Sequence, residues 1–196
     1  DFTSYELHEA LETLIAGLPV YRTYVRPGIG LRGADVGYLD VAFAYAREQE
    51  EPAIDEDLLG FLHGLLLGRF PGELERDFVA RFQQLSGPAM AKGMEDTAFF
   101  QHHRLLSLNE VGGNPGIFGI PPEAFHAFNA RTQATHPQTM LTTSTHDAKR
   151  SEDARIRLHL ISEAPREWEV AVQRWRQHNL RHRNHETWPD PSTEYH

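Results

Sequence analysis

The chain has 196 residues, of which 40% are hydrophobic, a net charge of −9 at pH 7 and no cysteine. The acidic excess argues against binding to nucleic-acid phosphates and to anionic membrane surfaces, and the absence of cysteine excludes disulfides and thiolate chemistry. No apolar run is long enough to span a bilayer and no signal peptide is recognisable, so this composition is compatible with a cytoplasmic protein that binds a neutral ligand such as a sugar.

The first predicted element is a helix that begins after Thr3. Thr3 and Glu6 have the spacing of a capping box, and apolar residues follow at helical intervals as far as Leu18. Residues 20–25 alternate and are β-branched or aromatic apart from Arg22, which predicts a strand. Arg22 fits a solvent-facing edge position or a ligand-facing position at the strand end, and the pattern slightly favours the first.

The stretch from about residue 34 to residue 90 is predicted to be almost purely helical. Apolar residues recur at helical spacing up to about Glu51, Asp55 has the position of a cap for a second helix, and 73–85 is a third amphipathic segment.

Residues 89–100 then lose the helical stripe and place Lys92, Glu95 and Asp96 beside Phe99 and Phe100. A solvated charged turn is one interpretation of this stretch. A polar wall with an aromatic platform for a sugar is the other, and the residues favour neither.

Residues 138–141 predict a short buried strand, and Ser151 followed by Glu152 and Asp153 predicts the start of a helix. Between them lies a loop rich in ionisable side chains. A strand, a polar loop and a helix in this order form the repeating unit of an α/β barrel, whose working residues lie at the C-terminal ends of the strands.

His146 and Asp147 lie in this loop, and such a pair can hydrogen-bond vicinal sugar hydroxyls. The alternative is a capping aspartate next to a surface histidine. Lys149 and Arg150 favour the functional interpretation, because two neighbouring cations would keep Asp147 ionised.

Other polar and aromatic groups fit structural roles. His178, His182 and His185 are interpreted as a solvated helix face rather than a metal site, since no third ligand is convincingly placed. Trp168 and Trp175 are seven residues apart on a predicted helix after Pro165 and are expected to be core. We expect neither a metal nor a cofactor.

Four stretches together resemble glycoside hydrolase family 13, the α-amylase superfamily. They are 19–24 (PVYRTY), 92–99 (KGMEDTAF), 104–113 (RLLSLNEVGG) and 143–153 (TSTHDAKRSED). The second and third resemble in particular the enzymes of this superfamily that form a trehalose end on a maltooligosaccharide.

The resemblance implies a reaction and a fold. The reducing-end α-1,4 bond of a maltooligosaccharide would become an α,α-1,1 bond by intramolecular transglycosylation, a glucosylmutase and therefore isomerase activity. The chain would be mainly α with a few short strands, as the later part of a (β/α)8 barrel. Residues 1–33 would supply a barrel helix and strand, 34–90 a helical insertion, and 91–196 further strand-loop-helix segments.

The resemblance also implies site residues. Asp147 matches the superfamily's third carboxylate, which binds ring hydroxyls and stabilises the oxocarbenium-like transition state. The implied substrate-binding residues are His146, Lys149, Arg150, Lys92, Glu95 and Arg22.

One departure from the superfamily pattern limits the prediction. The Gly-x-Arg-x-Asp stretch of the nucleophile and the glutamate of the general acid are both missing from the sequence. We therefore expect an internal segment that acts with the rest of its parent chain on maltooligosaccharide and is inactive alone. The alternative is a non-catalytic helical module that binds α-glucan or a partner protein. A helical nucleic-acid binder is disfavoured by the charge.

Overall fold

The computed structural model describes residues 2–26, 28, 31–51, 53–183 and 188–195. These residues form two compact units, an N-terminal unit (Asp1–His102) and a C-terminal unit (His103–His196). The helices of the N-terminal unit are α1 (Ser4–Ala16), α2 (Gly33–Glu48), α3 (Glu56–Leu66) and α4 (Glu73–Met90). Those of the C-terminal unit are α5 (Pro122–Thr135), α6 (Glu152–Glu163), α7 (Pro165–Asn179) and α8 (Pro191–Tyr195).

The N-terminal unit is a helical bundle with a continuous hydrophobic core. α1 packs on α2 and α4, and α3 packs on both α2 and α4. The apolar stripes of the four helices meet in the interior, which explains why their 3.6-residue spacing was readable in the sequence. The largest buried apolar side chains include Leu14, Leu39, Phe43, Leu58 and Leu62.

The predicted caps of α1 and α3 are confirmed. The Glu6 amide donates to Thr3 Oγ1 at 3.2 Å and the Thr3 amide to the Glu6 carboxylate at 2.7 Å. Asp55 Oδ1 accepts from the amides of Asp57 and Leu58 at 2.8 and 3.1 Å. Each cap satisfies amides that have no partner within the helix, a contribution of about 1 kcal/mol.

The strand predicted over 20–25 is wrong. Residues 20–25 form a bend and an irregular segment, Arg26 lies in an isolated β-bridge, and the described residues contain no β-sheet. The backbone of this segment bonds to helix side chains instead. Gln83 of α4 accepts from the Val25 amide at 2.7 Å and donates to the Val25 carbonyl at 3.1 Å, while Asp35 Oδ1 accepts from the Tyr24 amide at 3.1 Å.

α4 is longer than the stripe over 73–85 predicts. It continues through Pro88 to Met90 and runs into a single π-helical turn, Ala91–Glu95, followed by a 3-10 turn, Ala98–Phe100. The wider turn changes the rotation of successive side chains, and this is the physical reason why the helical stripe fades at this point.

The C-terminal unit has much less interior. Among its described residues only Asn109 and Pro115 are buried, and its 3-10 turns are Leu106–Leu108 and Leu180–His182. The buried strand predicted over 138–141 is also wrong, since Met140 and Leu141 are 94% and 89% exposed. No neighbouring strand is present in the described part of this unit to accept their backbone groups.

α6 begins at Glu152, with Ser151 at the predicted cap position but without a side-chain cap bond. On α7, Trp175 stays 45% exposed, so the prediction that it is core is wrong. None of the helices in the described ranges combines the length and apolar character that crossing a bilayer requires.

Candidate functional site

The loop of residues 142–150, here called the His-Asp loop, is held by bonds between its own polar groups. Thr142 Oγ1 donates to the Ser144 carbonyl at 2.8 Å and accepts from the Ser144 amide at 3.3 Å. Thr145 Oγ1 accepts from the Asp147 amide at 3.3 Å, and the Thr145 carbonyl from the Ala148 amide at 3.1 Å. Short hydroxyl side chains bonding to nearby backbone explain why the TTST run forms a turn.

His146 and Asp147 lie at the tip of this turn. The His146 Nε2 atom is 3.4 Å from Asp147 Oδ2, and the two side chains are 91% and 69% exposed. The imidazole and the carboxylate therefore stand together at the surface of the unit. They can offer a hydrogen-bond donor and an acceptor to adjacent hydroxyl groups of a ligand.

Glu110 anchors the other end of the loop. Its Oε1 accepts from the Lys149 amide at 2.8 Å and from the Val111 amide at 2.9 Å. The Arg155 guanidinium lies 3.8 Å from Oε2, and the Glu110 side chain is only 18% exposed. The bond to Lys149 spans 39 positions, so Glu110 ties the loop after Leu106–Leu108 to the His-Asp loop.

These contacts outweigh the effect of burial on the Glu110 carboxyl. Burial by itself raises its pKa. The backbone amides of Lys149, Val111 and Arg150, together with the Arg155 charge, stabilise the ionised form and hold the pKa below its ordinary value.

α6 contributes two further contacts to the loop. Glu152 accepts from Thr143 Oγ1 at 2.8 Å, and Arg155 donates to the Thr143 carbonyl. Both side chains come from the first turn of α6, so the helix fixes the N-terminal end of the loop while Glu110 fixes its C-terminal end.

The N-terminal unit carries the other predicted site residues. Glu95 is 4% exposed and accepts a hydrogen bond from the Tyr21 hydroxyl. On the same π turn the Lys92 ammonium lies 2.5 Å from the Asp96 carboxylate, and the Lys92 carbonyl accepts from Thr97 Oγ1 at 2.8 Å. The turn thus separates a buried carboxylate from an exposed ion pair.

Arg22 is exposed, as its solvent-facing interpretation predicts. Its guanidinium carbon lies 4.5 Å from the centre of the Tyr24 ring, where a cation is attracted by the ring face. Arg22, Tyr24, Asp35, Arg32 and Tyr38 line a cavity of about 380 Å³. A ligand-facing role for Arg22 is therefore compatible with its position.

Comparison with known proteins gives a consistent result. No family model matches the chain. It is 47% identical over 88 residues, 45% of its length, to a putative maltooligosyl trehalose synthase of Mycobacterium tuberculosis. Among solved structures, the maltooligosyltrehalose synthase of Arthrobacter ramosus matches 87% of the chain with a TM-score of 0.70 and 37% identity.

This chain is similar to a segment of maltooligosyltrehalose synthase. A hypothetical maltooligosyl trehalose synthase of Sulfolobus tokodaii matches 96% of it, with a TM-score of 0.65 and 31% identity. The chain spans 12% of the length of the Mycobacterium protein and 22% of the Arthrobacter synthase. The trehalose-forming enzymes identified from the 92–99 and 104–113 stretches are thus confirmed as its neighbours.

The predicted site residues are divided between the two units. His146, Asp147 and the backbone of Lys149 and Arg150 share one loop in the C-terminal unit. Arg22, Lys92 and Glu95 belong to the N-terminal unit.

Tyr21 and Glu110, which contact the predicted site residues Glu95 and Lys149, were not singled out from the sequence. Each lies within a stretch that carried the resemblance, and that was the only signal available, because their partners are distant in sequence.

No group of histidine and carboxylate residues in the described ranges has the arrangement of a metal site. His185, considered with His178 and His182, lies outside the described residues.

Proposed function

We propose that this chain is the part of a maltooligosyltrehalose synthase that carries the third carboxylate of the active site, Asp147. Such an enzyme converts the reducing-end α-1,4 bond of a maltooligosaccharide into an α,α-1,1 bond. The main support is the similarity to the Arthrobacter ramosus synthase over 87% of this chain. His146 and Asp147 are adjacent and exposed on a loop that Glu110 holds, which fits a role in binding the substrate.

The proposed mechanism is a retaining glycosyl transfer of the glycoside hydrolase family 13 type. A carboxylate nucleophile displaces the terminal glucose and forms a glycosyl-enzyme, while an acid protonates the departing oxygen. The freed glucose then attacks through its anomeric hydroxyl, which gives a proton back to the same acid and releases the nucleophile. The residues for these two steps lie in parts of the enzyme beyond the printed sequence.

In this scheme Asp147 accepts hydrogen bonds from ring hydroxyls of the reacting glucose. Its negative charge stabilises the positive charge that develops on the ring, and His146 binds a neighbouring hydroxyl. Lys149, Arg150 and Lys92 are assigned to the side that holds the freed glucose.

Retention of the freed glucose requires a site that excludes water, because hydrolysis competes with transfer. Glu95 and Arg22 are proposed to form part of the polar wall around it. The partly buried Tyr21 hydroxyl donates to the buried Glu95 carboxylate and so fixes the position of the turn that carries Lys92.

The architecture proposed for the whole enzyme is a (β/α)8 barrel. Residues 1–33 and 91–196 would belong to its later half, and the helices within 34–90 would be an insertion. A cytoplasmic setting is also proposed, and the lack of cysteine leaves it unopposed.

A segment exchange tests the assignment directly. The stretch of the Arthrobacter ramosus synthase that aligns with this chain is replaced by this sequence, and non-reducing maltooligosyltrehalose is measured by chromatography. We expect the chimera to form it. Asp147→Asn in the chimera should reduce the rate by about three orders of magnitude or more, as expected for a preorganised charge at a transition state.

Asp153→Asn is the matched control, because it removes an exposed carboxylate a few positions away in the first turn of α6. Its rate should equal that of the unmodified chimera. A folded chimera that retains full activity with Asp147→Asn would refute the role of Asp147. A folded but inactive unmodified chimera would refute the assignment of the whole segment.

A further inference from the structure

The His-Asp loop is ordered by polar contacts rather than by packing. Residues 142–147 are all exposed, so no apolar burial fixes the position of the tip. The hydrogen bonds of Thr142 and Thr145 to nearby backbone shape the turn, but they do not connect it to other elements. The position of Asp147 therefore depends on the contacts at the two ends of the loop.

Glu110 holds the C-terminal end of the loop. Its carboxylate accepts a hydrogen bond from the Lys149 amide at 2.8 Å and another from the Arg150 amide. These amides follow Asp147 closely in the chain. A carboxylate that accepts from two successive amides fixes both the position and the direction of the backbone between them.

Arg155 holds the N-terminal end of the loop and is linked to Glu110. Its guanidinium donates to the Thr143 carbonyl and lies 3.8 Å from the Glu110 carboxylate. The side chains of Arg155 and Glu110 are 24% and 18% exposed, so solvent screens this pair less than an ion pair at the surface. We call Glu110 and Arg155 together the loop clamp.

The loop clamp spans the segment that carries His146 and Asp147. Residues 144–148 lie between the two positions that it holds, Thr143 and Lys149. A short segment with both ends fixed retains few conformations. A carboxylate that stabilises a transition state must be held within about 0.5 Å of its productive position, and a supporting shell of hydrogen bonds does this.

We propose that Glu110 and Arg155 are positioning residues, which place Asp147 against the reacting glucose and take no part in the chemistry. The proposal rests on the role proposed for Asp147 and extends it to two residues of other elements. Because Asp147 would act on charge that develops in the transition state, a displaced Asp147 lowers kcat more than it raises KM.

A double-mutant cycle in the chimera with the Arthrobacter ramosus synthase tests this proposal. Glu110→Gln keeps the shape of the side chain and removes its charge. It should lower kcat about 10- to 100-fold and change KM less than about threefold, as expected when a reacting group is slightly misplaced. In the Asp147→Asn background, Glu110→Gln should change kcat less than about twofold, since no carboxylate remains to be placed.

Arg155→Gln tests the other end of the loop and should give the same pattern. Arg157→Gln is its matched control, because Arg157 is an exposed arginine on the same helix, α6. Its kcat should equal that of the unmodified chimera. Circular dichroism checks that every variant is folded.

Hydrogen exchange of the 196-residue protein tests the loop clamp without an activity assay. In Glu110→Ala the amides of Lys149 and Arg150 lose their acceptor, so they should exchange about tenfold faster or more, while amides of α7 keep their rates. Glu123→Ala removes an exposed carboxylate of α5 and should change neither set of amides.

The two proposals fail in different ways. Inactivity of the folded, unmodified chimera overturns the role proposed for the whole segment. An active chimera in which Glu110→Gln leaves kcat unchanged, or lowers it by the same factor with and without Asp147, overturns the positioning role. Unchanged exchange at Lys149 and Arg150 in Glu110→Ala, or equal acceleration in α7, overturns the loop clamp.

Discussion

At the scale of single residues, Glu110 ties the His-Asp loop to the loop after Leu106–Leu108. It accepts from the amides of Lys149 and Val111 at 2.8 and 2.9 Å and lies 3.8 Å from the Arg155 guanidinium. Its carboxylate therefore joins the loop after Leu106–Leu108 to the loop that carries the proposed sugar-binding pair. Asp147 itself makes fewer contacts, as expected of a side chain that is kept available for a ligand.

The contacts of Glu110 predict a pH dependence of stability. Its pKa in the folded chain lies below the ordinary value of 4.5. Above pH 4.5 the carboxylate is ionised whether the chain is folded or unfolded, and its contribution is complete. As the pH falls, the unfolded chain takes up the proton first, so the contribution declines until the pH has passed the folded pKa. Urea denaturation between pH 3 and 7 measures this decline.

Glu110→Gln should flatten that pH profile and lower the free energy of unfolding by about 1–3 kcal/mol at pH 7, because backbone amides lose a charged acceptor. Glu123→Gln is the control, an exposed carboxylate in the first turn of α5. An identical pH profile for the parent and Glu110→Gln would show that Glu110 does not carry the effect.

At the scale of elements, α4 supplies the hydrogen-bond partners of the Val25 backbone that a neighbouring strand would supply in a sheet. The Gln83 amide group bonds to both the N–H and the C=O of Val25, at 2.7 and 3.1 Å. Thr23 Oγ1 also donates to Gln83 Oε1, at 3.2 Å. The segment 20–25 is thus fixed next to the π turn, and Tyr21 reaches Glu95 from it.

Gln83→Ala should destabilise the N-terminal unit by about 1–3 kcal/mol, since it leaves buried backbone groups of Val25 without partners. The neighbouring Gln84 is exposed on the same helix, so Gln84→Ala is the matched control and should be near neutral. The midpoint of urea unfolding, followed by circular dichroism, compares the two. Equal midpoints would mean that water replaces the Gln83 side chain without cost.

At the scale of the whole molecule, the apolar interior is distributed unevenly. The buried hydrophobic cluster consists entirely of residues from the N-terminal unit, drawn from α1 to α4 and their connections. In the C-terminal unit many large apolar side chains are exposed, among them Phe125, Phe128, Met140 and Leu141. Most stabilisation from apolar burial therefore belongs to the N-terminal unit.

Hydrogen exchange should reveal this difference. We expect amides of α1 to α4 to exchange slowly and those of α5 to α7 to exchange much faster, because local stability follows local burial. Leu62→Ala creates a cavity at a residue that is 1% exposed and should lower the stability of the N-terminal unit by about 2–5 kcal/mol. Similar protection of both sets of helices in the parent protein would contradict this picture.

The sequence by itself determined that the N-terminal unit is helical and where the caps of α1 and α3 lie. Thr3 with Glu6 and Asp55 with the following amides act over a few positions, and the apolar stripe of each helix repeats every three to four residues. Local spacing is sufficient for such features, since a helix closes its hydrogen bonds within its own segment.

The tertiary structure alone decided the features that join distant parts of the chain. The predictions of strands at 20–25 and 138–141 failed because a strand requires a partner, and that partner is not encoded in the segment itself. The Gln83–Val25 bonds and the Glu110–Lys149 bond each join a side chain to the backbone of a separate element. Only the packing of those elements brings their side chains within hydrogen-bond distance.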